Sequence, residues 1–233
     1  MKFFIKKNRA EKAFSMSEVL ITVAIVGIIS VLTIPVFISA VAEKKQVTSM
    51  LIAYSLLKSA TKDILLENSG SMAYAASTTT ELRNAYCSHL NCLKTCDTGS
   101  CENIAYSSSV NNLLGIAYTP ALSGSGAVLS NGMAILIVSV DTECDDSRYQ
   151  YNGANAACGQ IIVDINGTEF PNIVGRDIFE FIPYEFGLVP YGTEDSDINW
   201  KDGDSCSVSA SSGDFRGAGC AARIIEQGNM MDY

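Results

Sequence analysis

From Val19 to Ala42 the chain runs for 24 residues without a charged side chain, and this run limits its folding more than any other feature. As a helix it is roughly 36 Å long, against an apolar bilayer thickness of about 30 Å. One membrane span is therefore expected. A secretory signal peptide would have an apolar stretch of only about 7 to 15 residues and a small-x-small cleavage site, so the run is too long for one. Lys2, Lys6, Lys7, Arg9 and Lys12 precede it against the single acid Glu11, a local charge of +4. The whole chain carries -9, which leaves -13 for the remainder. Basic residues before the span and acids after it predict a cytoplasmic N-terminus with the bulk outside. The same imbalance argues against a nucleic-acid partner, because phosphate binding needs clustered Lys and Arg.

Glu18 stands immediately before the apolar run, where a carboxylate at membrane depth asks for a partner. With Ala13, Phe14, Ser15, Met16 and Ser17 before it, and the apolar run on to Pro35 after it, this segment resembles the prepilin N-terminus of type IV pilins and type II secretion pseudopilins. Gly27 also stands where the family carries glycine, whereas Ala13 replaces the more usual glycine before the cut. The resemblance implies a leader, residues 1–13, removed by prepilin peptidase between Ala13 and Phe14, with N-methylation of Phe14. It implies an inner-membrane protein that is drawn by an assembly platform into a periplasmic or extracellular filament of other pilin or pseudopilin subunits. In such a filament Glu18 pairs with the Phe14 amine of a neighbouring subunit and fixes register. Pro35 deprives the Val31 carbonyl of its donor and loosens the helix, with Thr33 or a neighbouring subunit able to satisfy what is freed.

Beyond the span, Val47, Met50, Leu51, Tyr54, Leu57 and Ile64 recur at three- and four-residue steps, the mark of an amphipathic helix. The pattern predicts a membrane or filament-core helix over 14–42 continuing as an amphipathic helix over 43–67. Residues 68–126 read as an irregular, Cys-rich connector. Apolar runs at 133–140, 160–165 and 178–184, separated by turns, predict an antiparallel sheet of three or four strands within 127–190. Residues 191–233 complete the chain as a disulfide-bonded loop region. The expected class is α+β, with the long helix laid on a small antiparallel sheet in a disulfide-rich, pilin-like domain. The stretch from Val163-Asp-Ile-Asn-Gly167 through Pro171-Asn172 to Gly175-Arg-Asp-Ile-Phe179 also resembles the sheet region of pilin-like proteins.

Cys87, Cys92, Cys96, Cys101, Cys144, Cys158, Cys206 and Cys220 all follow the span, and exported thiols are expected to form disulfides. Loop closure favours Cys144 with Cys158 and Cys206 with Cys220. The first four then pair among themselves, in any of three ways. Zinc is the rival for these four, but the usual x2 spacings are absent. The single imidazole, His89, is expected on an exposed loop, and with no other sign of catalytic chemistry an enzyme is not expected. Glu194, Asp195, Asp197, Asn199, Asp202 and Asp204 could offer oxygens to calcium. Some pseudopilins bind calcium in a C-terminal loop, which this stretch resembles in location and acidity. Trp200 and Cys206 stand where an EF-hand needs Gly and Glu, so a solvated acidic loop is the favoured reading and no cofactor is expected. The function read from the whole is a filament subunit of a pilus or pseudopilus. The alternative is an adhesive or ligand-binding module displayed at a filament tip.

Overall fold

The structure, a computed structural model, describes residues 15–118, 122–151, 155–194, 199–202, 205–208, 216–228, 231 and 233. The chain divides into two compact units, Met1–Glu43 and Lys44–Tyr233. Helix α1, Met16–Glu67, crosses the boundary without a break in its assignment, even at Pro35. In the first unit its side chains are exposed, apart from a half-buried Ser30. Its apolar part is a candidate membrane span by length and hydropathy.

Within the second unit, α1 buries Val47, Met50, Ala53, Leu57, Ala60, Thr61 and Ile64, one stripe at helical spacing. Leu51 and Tyr54 flank it half-buried, and the Tyr54 ring stacks on Phe181 with centroids 5.6 Å apart. The stripe lies on an antiparallel sheet of eight strands: β1 (Cys92–Cys96), β2 (Ser125–Leu129), β3 (Ala134–Val140), β4 (Asp146–Tyr151), β5 (Asn155–Ala157), β6 (Gly159–Asp164), β7 (Ile178–Tyr184) and β8 (Gly187–Pro190). Cys158 donates its N–H to Pro183 O and accepts from the N–H of Asp141. Residues 155–164 therefore form one interrupted strand, with β7 on one edge and β3 then β4 on the other. Each successive segment pairs with the one before it, as in a meander.

Alternation along the central strands sorts side chains onto two faces. Ile135, Ile137, Ile161, Val163, Phe179 and Phe181 meet the helices. Ala134, Leu136, Ile162, Ile178 and Ile182 point into a second core on the other side. Two covered faces explain why β3, β6 and β7 read as nearly continuous apolar runs.

Four expectations need correction. Residues 68–126 are not simply an irregular connector. They hold helix α2, Thr79–His89, and strand β1. Thr78 caps α2 by accepting from the N–H of Glu81, and Leu82 and Tyr86 face the core. Tyr86 OH lies 2.7 Å from Thr61 Oγ1. Because Thr61 spends its own proton on Leu57 O, the tyrosine is the donor between the helices. Buried Arg83 donates to Cys96 O and pairs with Asp97 at 2.9 Å, holding α2 to β1. The sheet is also larger than three or four strands and begins before residue 127. The added strands are short or polar and offer no apolar run to detect. His89 closes α2 with its side chain only 16% exposed and Nε2 3.3 Å from Glu67 Oε2, not on an open loop. In the C-terminal region, expected as loops, helix α3 (Cys220–Glu226) buries Cys220, Ala221, Ala222 and Ile224.

Candidate functional site

The start of α1 is built by its own sequence. Ser15 is the residue before the helix, and its Oγ accepts from the N–H of Glu18 at 3.2 Å. In return Glu18 Oε2 accepts from the Ser15 N–H at 2.8 Å and from the Ser15 hydroxyl at 2.9 Å. This is a reciprocal capping box, satisfying donors that a helix N-terminus leaves open. Ser-x-x-Glu before an apolar run is its sequence signature, so Glu18 has a local capping role besides the expected register charge. The negative side chain also lies at the positive end of the helix dipole.

Further along the apolar part, Thr22, Thr33 and Ser39 turn their hydroxyls back onto Val19, Ile29 and Val36 carbonyls, which satisfies these three side chains within the helix itself. Thr33 thus serves Ile29, not the Val31 carbonyl that Pro35 deprives of a donor. Ala13 and Phe14 lie outside the described residues.

The cysteines form four bridges: Cys87–Cys92, Cys96–Cys101, Cys144–Cys158 and Cys206–Cys220. Of the three pairings open to the first four, sequence neighbours are joined, and no free thiol remains for zinc or for nucleophilic chemistry. The bridges flank β1 at both ends and pin the chain where β5 meets β6.

Most of the acidic C-terminal stretch, including Asp195, Asp197 and Asp204 and the side chain of Asp202, lies outside the described residues. Glu194 pairs with Lys201. Trp200 donates its indole N–H to Glu226 at 2.6 Å, and Arg223 lies over its ring. The 3,10 turn that holds Trp200 is thereby fastened to α3. Asn199 accepts at its main-chain oxygen from the Ser205 hydroxyl. Among the described residues, no three His, Cys, Asp or Glu side chains gather where they could hold a metal ion.

Two further features bear on chemistry. A groove of about 360 Å³ runs between Lys58, Lys62 and Leu65 of α1 and Tyr184, Phe186 and Leu188 at the β7–β8 turn. Its walls are mostly apolar, with Thr61 and Glu185 also among the lining residues. On the far face of the sheet, Glu180 is 2% exposed and accepts from the Gln160 side-chain amide. Burial pushes its carboxyl up to about 7. Tyr149 and Tyr191 meet edge to face above it, their hydroxyls pushed up by burial and by the Glu180 charge. Comparison of the chain with protein-family models, with curated proteins and with solved structures finds no match to any of them.

Proposed function

We propose that this protein is the structural subunit of a type IV pilus or a type II secretion pseudopilus, held in the inner membrane through α1 before assembly. The supporting observation is the one helix with two characters. Its first part is apolar, capped and exposed, and its second part is the spine of a disulfide-bonded α+β domain. In the proposed mechanism prepilin peptidase cuts between Ala13 and Phe14. The capping box survives this cut, because the Ser15 N–H stays a peptide amide while the new amine sits one residue before it. Glu18 then serves twice, ending its own helix and meeting the Phe14 amine of a neighbouring subunit.

The test is the N-terminal mass of the protein from cells, together with filament formation by three variants. A mature chain is expected to begin at methylated Phe14. Glu18→Gln keeps a side chain able to cap but removes the charge, and is expected to insert in the membrane yet assemble poorly. Glu18→Ala should do no better, whereas Ser15→Ala, which disturbs the cap alone, should still assemble. A chain that keeps Met1, or normal filaments from Glu18→Gln, would overturn the respective step.

A further inference from the structure

The loop between β6 and β7 buries oxygen atoms that no described residue satisfies. Asp164 ends β6 and Asp177 immediately precedes β7, and the pairing of Asp164 with Ile178 brings the acids near enough for the Asp177 charge to act on Asp164. Asp177 accepts from the N–H of Asn172 at 2.8 Å and of Ile173 at 2.6 Å, and the Asn166 side-chain amide also reaches it. Asp164 Oδ1 accepts from the Asn166 N–H at 3.2 Å, and the Gly167 N–H also bonds the carboxylate. That leaves Asp164 Oδ2, Asn166 Oδ1 and both polar side-chain atoms of Asn172 buried with no hydrogen-bond partner. Asp164 is 2% exposed, and Asp177 and Asn172 are not exposed at all.

Native proteins rarely leave such groups unmet without an ion or water to meet them. Neither acid forms an ion pair among the described residues. Burial and the charge of Asp177 push Asp164 up to about 8, yet protonation does not solve its problem. A proton on Oδ2 would turn that one oxygen into a donor and still leave the Asn172 side chain unmet. A cation would answer the orphaned oxygens of Asp164, Asn166 and Asn172, leaving the Asn172 amide N–H to a water. Carboxylate and amide oxygens without sulfur or imidazole select a hard ion, and flexible loop geometry suits calcium better than the strict octahedron of magnesium.

We propose that Asp164, Asn166, Asn172 and Asp177 form a calcium site at the base of the β6–β7 loop. Calcium takes six to eight oxygens, so main-chain carbonyls or waters complete the set. The site is separate from the acidic stretch at 194–204 and does not depend on the assembly function.

The test uses the full-length protein in detergent, stripped with chelator and titrated with calcium chloride, reading bound calcium by equilibrium dialysis and Tm. One calcium bound and a Tm raised by several degrees at saturation are expected, since a ligand selective for the folded state stabilises it. Asp164→Asn should weaken binding at least tenfold, and the pair Asp195→Asn with Asp197→Asn should leave it unchanged. No calcium bound by the wild type would overturn the site in favour of a buried water. Binding lost in the 195/197 pair but kept in Asp164→Asn would assign the ion to the acidic stretch instead. Should Asp164→Asn not fold, Asn166→Ala serves in its place, with weaker binding in support and unaltered affinity against.

Discussion

Glu180 is the residue whose chemistry is most altered by the fold. In an unfolded chain its carboxyl titrates near 4.5, whereas in the folded protein burial holds the proton to about 7. Between these values the folded state binds more protons than the unfolded one. Its contribution to stability is full below 4.5, declines as pH rises and is lost above about 7. Wild-type Tm should therefore fall between pH 5 and pH 7.5. Glu180→Gln, which keeps an oxygen for Gln160 but cannot ionise, should remove part of that fall, on the order of 3 kcal/mol. Equal slopes for wild type and variant, followed by circular dichroism in chelator, would show that the carboxyl is charged in the fold. Asp164 acts with the same sign while its site holds no cation, because its ordinary 3.8 is pushed up to about 8. Neither shift is visible in sequence. Glu180 lies in a strand whose neighbours are apolar, and only the covering of the sheet's second face makes the position dry.

At the scale of elements, stability is concentrated where α1 and α2 meet the sheet. Phe181 is wholly buried, with Tyr54 stacked on it, so Phe181→Ala should cost about 3–5 kcal/mol. Tyr86→Phe removes one donated hydrogen bond but leaves Thr61 its bond to Leu57 O, and should cost only about 1 kcal/mol. Denaturant unfolding of both variants measures the contrast, and a Tyr86 effect as large as that of Phe181 would displace this account. The same elements show what sequence can and cannot reveal. Helix α1 was legible from its stripe, and β3, β6 and β7 from apolar runs that pack on both sides. Strand β1, Cys-Leu-Lys-Thr-Cys, exposes its three middle residues, and β4 is Asp-Ser-Arg-Tyr-Gln-Tyr. They hold their places through pairing and bridges, which leave no hydrophobic period. Helix α2 was hidden by its Ser/Thr-rich approach, although Thr-x-x-Glu announces its cap. The oxygens of the β6–β7 loop stayed invisible for another reason. Asp164 and Asp177 become neighbours only through strand register.

For the whole molecule, charge and hydropathy are segregated along the chain, with a basic start, an apolar run and an acidic remainder. The four bridges follow a different rule. Each joins cysteines only 5 or 14 positions apart, so none ties α1 to the sheet or one end of the domain to the other. Such staples resist tension unevenly. A molecule pulled through its helix can shed α1 from the sheet without breaking a covalent bond, while each 14-residue loop keeps about 40 Å of chain out of reach of the force. Stretched singly between its two ends, the oxidised protein should rupture in steps that stop short of full extension. Reductant should then lengthen the final trace by about that amount for each of Cys144–Cys158 and Cys206–Cys220. A final length indifferent to reductant would mean that these loops are already open. The bridges therefore set how far the protein can be drawn out, while noncovalent packing alone sets how hard one must pull.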